Sequence, residues 1–138
     1  MHNIIQWNCR GLRKNAENLK VLINEINAGI ICLQETKLGT NDFNPGFNYD
    51  IFNSPPPISD HAKGGAAILI SHALQHVVVD LNTTLQAVAV KVLLDKYITI
   101  CSLYLPPDLH FSLDDLQSLV DQLPLPFLFL GDFNAHNP

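Results

Sequence analysis

Asn8, Glu35, Tyr104, Asp132 and Asn134 each stand at, or just beyond, the end of a short β-rich run. Two carboxylates, two amides and a phenol suit a hard cation such as Mg²⁺, which takes oxygen ligands and keeps several of its waters. A phosphate group fits the remaining positions: Asn amides donate to its oxygens, and the cation neutralises charge that builds up in a transition state. Asp132 stands out because a carboxylate leaving the apolar run Phe127–Leu130 is costly unless paired, hydrogen-bonded or metal-bound. Each residue also has an ordinary reading. Gly131-Asp132 is a common turn pair with Asn134 as its support, Asn8 can cap a turn, Glu35 can be a solvated loop carboxylate, and Tyr104 a half-buried core tyrosine. No single position carries the case; the set does.

The elements that must position these residues follow from periodicity. Residues 3–8 read as a strand, followed by the positively charged loop Cys9-Arg10-Gly11-Leu12. A helix is predicted over 16–28, with Asn15 as N-cap, an apolar stripe of Leu19, Leu22, Ile23 and Ile26, and Gly29 as the left-handed cap. Ile30–Leu33 is a buried strand that delivers Gln34 and Glu35. Strand, helix and strand in so short a span form a βαβ unit with parallel strands. A polar loop over 36–47 leads to a strand over 49–52, and Pro55-Pro56-Pro57 stiffens a surface loop.

Gly64-Gly65 reads as a strand-entry turn into four β-rich runs, 66–71, 77–81, 87–94 and 97–104. The tight Asp95-Lys96 break predicts a hairpin and an antiparallel block. A second helix is predicted over 113–122, capped by Ser112 with Asp115 three residues on, burying Leu113, Leu116, Leu119 and Leu123 and ended by Pro124. The last strand, 127–130, delivers Asp132. These elements indicate an α/β layered sandwich with the opening and closing strands at its centre, over one domain spanning 1–138. Sites in such sheets gather just beyond the strand termini, where loops diverge.

Composition bounds the function classes. The chain has 138 residues, 47% apolar and 15% charged, which suits a core-rich domain rather than a disordered segment. A net charge of −5 argues against broad grip on a polyanion but leaves room for a local basic site from Arg10, Lys14, Lys37 and Lys63. The three cysteines, Cys9, Cys32 and Cys101, read as buried reduced thiols in a soluble intracellular protein, with no CxxC pair. No signal peptide and no membrane-length apolar run is seen. The histidines His61, His72, His76 and His110 lack metal-ligand spacing and default to the surface; His2 is terminal, and His136, two residues from Asn134, reads as structural or as a residue near the site. Neither a Gly-x-Ser-x-Gly elbow nor a Walker-type loop is present.

Five motifs, taken together, carry a resemblance: Trp7-Asn8-Cys9-Arg10-Gly11, Leu33-Gln34-Glu35-Thr36, Lys63-Gly64-Gly65, Leu103-Tyr104-Leu105-Pro106-Pro107 and Gly131-Asp132-Phe133-Asn134-Ala135-His136. In this order the chain resembles the endonuclease/exonuclease/phosphatase superfamily, and within it the endonuclease domain of jockey-like non-LTR retrotransposons. The resemblance implies a four-layer α/β/β/α fold and a Mg²⁺-dependent phosphodiesterase, with Mn²⁺ as a substitute. It implies that Glu35 holds the metal, Asn8 supports the metal or phosphate site, and Tyr104 lies against the scissile phosphate. Asp132 and Asn134 would position the attacking water. The implied substrate is DNA, nicked to prime a reverse transcriptase in the same polyprotein, with access to the nucleus.

The sequence departs from this pattern at its C-terminal end. The family's Ser-Asp-His motif does not occur, and none of the six histidines matches its His. Without it, an acid–base contribution of roughly 10²–10⁴-fold is absent. The chain therefore reads as an incomplete domain with unpaired sheet edges, showing little nicking of its own. Two other readings stay open: a phosphomonoesterase or lipid phosphodiesterase of the same superfamily, and a non-catalytic remnant that binds metal or nucleic acid.

Overall fold

Alternation along the strands sorts the apolar residues into three packing layers. In the computed structural model, which describes residues 3–39, 43–46, 48–55, 64–106 and 113–132, the elements run β1 (Ile4–Asn8), α1 (Ala16–Ile26), β2 (Ile30–Gln34), β3 (Tyr49–Asn53) and β4 (Ala66–Ser71). They continue β5 (His76–Val79), β6 (Gln86–Leu93), β7 (Tyr97–Tyr104), α2 (Leu113–Asp121) and β8 (Phe127–Asp132). Two four-stranded sheets result, ordered β1-β2-β4-β3 and β5-β6-β7-β8. Ile31, Leu33, Ala67 and Leu69 face α1, where they bury Leu19 and Ile23. The alternate residues, Ile30, Cys32, Ile68 and Ile70, meet Val88, Val90, Val92 and Ile100 between the sheets. Ala87, Ala89, Cys101 and Leu103 turn the other way, onto Leu119 and Leu123 of α2. The period of two thus builds an α/β/β/α sandwich, as the resemblance implies.

β1 and β2 pair in parallel, as the βαβ reading requires. The β6–β7 hairpin turns at Asp95-Lys96, with Leu93 opposite Tyr97. The antiparallel block is not one unit, however. β4 joins the first sheet, antiparallel to β2 and β3, and β5 begins the second. β7 and β8 pair in parallel around α2, a second βαβ unit beyond the one that periodicity predicts.

The opening and closing strands are outer strands of their sheets, not central ones. Composition explains the correction. β2 is buried along its whole length, whereas Gln6 of β1 and Leu128 of β8 are exposed. Among the described residues β1 and β8 each pair on one side only, as do the other outer strands, β3 and β5.

Both helices differ from their predicted limits. α1 stops at Ile26 because Asn27 takes the left-handed conformation (φ 54°) and its N–H bonds Ile23 O at 2.9 Å, two residues before Gly29. Asn15 holds the N-cap position without capping: its amide donates instead to Cys9 O at 2.7 Å and Gly11 O at 3.2 Å. Ile26 and Leu113 are exposed rather than buried. Ser112, the other predicted cap, lies outside the described residues.

The far end of the sandwich is tied by polar contacts. Asp50 of β3 accepts from His72 Nε2 at 2.9 Å and contacts His76 Nε2 at 3.0 Å, linking the first sheet to β5 of the second. His76 is therefore not a surface residue; its side chain is only 11% exposed, and Phe52 meets its ring edge-on. These partners hold the Asp50 carboxyl below the usual carboxylate range, the His72 hydrogen bond foremost. No helix among the described residues is long and apolar enough to cross a membrane.

Candidate active site

The strand ends predicted to form a site meet at one end of the sandwich. β1 ends at Asn8, level with Gln34 of β2, and Glu35 follows at once. Across the interface, β7 ends at Tyr104, level with Asp132 at the end of β8. Asn8 Nδ2 donates to Asp132 Oδ2, a close hydrogen bond that joins the two sheets. Asn8 Oδ1 accepts from the Arg10 backbone N–H at 3.3 Å. Its amide is thus engaged at both ends, with β8 on one side and with the turn after β1 on the other. Asn134, together with Lys63 and His136, lies outside the described residues.

Glu35 is held by its backbone. The loop after β1 zips onto the exit of β2 through Cys9 N to Gln34 O (3.0 Å), Gly11 N to Glu35 O (2.8 Å) and Leu12 N to Thr36 O (2.9 Å). On the other side, Lys37 N bonds Gly64 O at 2.7 Å and Thr36 N bonds Gly65 O at 3.3 Å. Gly65 N donates in turn to Gln86 Oε1, so the glycine pair straps β2 to the second sheet. Glycine is required here. Both residues have positive φ, and a Cβ on Gly64 would press on the Tyr104 ring and Gln86. The pair is a strand entry, as read, and a cross-tie as well.

Three non-glycine residues at these loops, Arg10, Glu35 and Lys37, adopt left-handed backbone (φ 50°, 57° and 55°). Such conformations cost about 1–3 kcal/mol each and collect where the surroundings fix them for a purpose. Nothing in the residue types announces them, since all three are charged residues with no left-handed preference. Glu35 is 24% exposed on its side chain and pairs with Lys37 Nζ at 3.5 Å. Lys37 is thus a partner of Glu35 rather than a free loop cation, while Arg10 and Lys14 are exposed on the neighbouring loop. Tyr104 is 6% exposed, so its ring is part of the inter-sheet core while the strand end places it level with Asp132.

Cys9, beside Asn8, is buried, and burial pushes its thiol up to about 11. Cys32 and Cys101 are pushed up to about 12 for the same reason. All three therefore stay protonated at neutral pH, in keeping with buried reduced thiols.

A profile of the Endonuclease/Exonuclease/phosphatase family matches residues 5–138. The chain belongs to this family. Among curated proteins, this member of the family is 28% identical over 134 residues to an RNA-directed DNA polymerase from mobile element jockey of Drosophila melanogaster, covering 94% of this chain and 14% of the relative. It is 23% identical over 135 residues to a probable RNA-directed DNA polymerase from transposon X-element of the same fly, covering 96% and 15%. The chain thus spans only a small part of the curated relatives that it matches.

Among solved structures, the endonuclease domain of TRAS1, a telomere-specific non-LTR retrotransposon, superposes with a TM-score of 0.75 at 21% identity, over 98% of this chain and 61% of that one. An AP endonuclease from Archaeoglobus fulgidus gives a TM-score of 0.69 at 20% identity, over 98% and 58%. These likenesses establish the fold.

The donor set fits a hard divalent cation bound through few protein ligands. Among the described residues, no group of three or more His, Cys, Asp or Glu is gathered at one point. A cation here would rest on Glu35 with amide and water oxygens, the manner in which Mg²⁺ is commonly held.

Proposed function

We propose that this chain forms the metal- and phosphate-binding part of a Mg²⁺-dependent DNA endonuclease that nicks target DNA ahead of a reverse transcriptase. The observation that carries the reading is the Asn8–Asp132 hydrogen bond, which brings the ends of β1 and β8 together beside Tyr104 and the Glu35 loop. The relatives' descriptions as RNA-directed DNA polymerases of mobile elements support the context, and the TRAS1 domain's description as an endonuclease supports the reaction class. A nicking role also requires access to chromosomal DNA.

Glu35 would hold the metal with Asn8 in support, and Mg²⁺ or Mn²⁺ so bound would offset charge developing on the phosphate. Asn8 fixes Oδ2 of Asp132, so that this carboxylate orients a water for in-line attack instead of rotating. Tyr104 would rest against a non-bridging phosphate oxygen. Asn134, two residues after Asp132, would donate to the same phosphate as its charge rises.

The test is nicking of supercoiled plasmid with and without Mg²⁺, using this chain and the longest product of its reading frame. Where the reading frame extends further, metal-dependent nicking that is lost with Glu35→Ala and with Asp132→Ala is expected from that product. Phosphate release from monoesters or phospholipids without nicking would replace this reading with the phosphatase or lipid phosphodiesterase one. Mn²⁺ or DNA binding with no cleavage by any product would leave a binding remnant.

A further inference from the structure

Gln34 is the largest polar side chain fully buried in the sandwich, and it sits directly beneath the proposed site. It lies on β2 opposite Asn8 of β1, so the two side chains share the face of the first sheet that looks toward the second. Its hydrogen bonds form a chain with one direction. Gln6 Nε2 donates to Gly131 O at 2.9 Å and to Gln34 Oε1 at 3.4 Å. Gln34 Nε2 donates to Ser102 Oγ at 3.1 Å, and Ser102 Oγ donates to Leu33 O at 3.0 Å. The chain runs from the edge of β8, through β1 and β2, to β7, and returns to β2. Its anchor points are one residue before Asp132, one before Glu35 and two before Tyr104.

We infer that Gln34 is the positioning residue that fixes the spacing between the two walls of this site, Asn8 and Glu35 on one side, Tyr104 and Asp132 on the other. The inference rests on the function proposed above only for the consequence of that spacing; the spacing itself is a property of the fold. Apolar contacts alone hold two sheets at a distance but let them slide, because hydrophobic burial has no direction. A buried amide with a donor and an acceptor both engaged admits one alignment and penalises the others, since a slide would strand a polar group away from water.

Replacement by methionine separates positioning from stability. Gln34→Met keeps the volume, and its former partners retain other bonds: Gln6 still donates to Gly131 O and Ser102 still donates to Leu33 O. No buried polar side-chain atom loses its last partner, so the fold should survive with little loss.

The test records the side-chain amide signal of Asn8 by NMR in the full chain, with Asp132→Ala as the reference for a broken Asn8–Asp132 contact. Gln34→Met is expected to keep the folded spectrum and to move the Asn8 amide toward its Asp132→Ala position. An Asn8 signal that stays in place in folded Gln34→Met overturns the inference, and one unmoved by Asp132→Ala overturns the contact that the spacing is meant to serve. If Gln34→Met fails to fold, Ser102→Ala removes only the far partner of the amide; the same displacement is expected, and its absence overturns the inference. Mn²⁺ titration is run alongside, with binding expected to weaken about 10-fold in Gln34→Met, as when other supporting bonds around a metal are lost. A wild-type chain that binds no Mn²⁺ counts against the proposed function and leaves the amide result to decide the role of Gln34.

Discussion

β2 and β8 each lead to an acidic residue at the same end of the sandwich, yet they do so from opposite circumstances. β2 is an inner strand, buried along its length, with partners on both sides, and the residues after it are stitched to the β1 loop and to Gly64-Gly65. β8 is an outer strand, paired only with β7 among the described residues, and Leu128 on it is 37% exposed. Glu35 is thereby presented from a fixed wall. Asp132 is presented from an edge that takes its alignment from cross-sheet bonds to Asn8 and Gln6. A wall stitched on both sides, facing a wall aligned through a few polar contacts, tolerates change unequally.

Core truncation should show that inequality most strongly. Leu33→Ala, at a side chain with no exposure, is expected to cost about 2–5 kcal/mol, and Leu128→Ala less than about 1 kcal/mol, by urea denaturation. Equal losses would break the comparison.

The glycines sharpen it next. Gly64→Ala combines a left-handed backbone (φ 65°) with contact against the Tyr104 ring, and about 1–3 kcal/mol of destabilisation is expected. Gly131→Ala would meet the Leu103 backbone, which cannot yield, but β8 can shift outward from its edge. A smaller stability loss with a displaced Asp132 is expected there, read from the melting temperature and from the NMR signals of Asp132.

Asn15→Ala removes the amide that clasps the loop after β1, and about 1 kcal/mol should be lost in the same denaturation experiment. The smallest effect belongs to the far end. Because the folded Asp50 carboxyl lies below its ordinary range, its contribution is present above the unfolded value and fades as pH falls through the folded one. Asp50 is half exposed, so Asp50→Asn should flatten the acid limb of stability by no more than about 1 kcal/mol. A neutral-pH effect larger than the acid-limb effect would point to a different role.

Most of the fold was legible because strand runs and helix stripes announce themselves by period. Ile30–Leu33 and Phe127–Leu130 both appear as apolar runs, but a run does not say whether it has one neighbour or two. By its sequence alone, then, an outer strand such as β8 looks as central as β2. The split of the antiparallel block escaped for a related reason: β4 and β5 are consecutive, and only three-dimensional pairing assigns them to different sheets. At the candidate site, Asn8, Glu35, Tyr104 and Asp132 stand out in the sequence as polar residues that end or follow apolar strands. Gln34 was not, since a Gln beside a Glu looks like the start of a loop until its burial is known. Asn15 and Asn27 show how the same residue type can clasp a loop or end a helix, a choice that the local sequence leaves open.

The Asn8–Asp132 bond spans 124 positions of sequence. A ribosome releases the chain from its N-terminus, so β1, α1 and β2 can fold as a local unit long before β8 exists. The partner of Asn8 is among the last described residues to be made, and closing so long a loop precedes any reward from the contact. While the residues between them are made, then, the Asn8 end of the nascent sandwich lacks its partner and relies on other cover. The contact that ties the two sheets at this end can form only once β8 has been made.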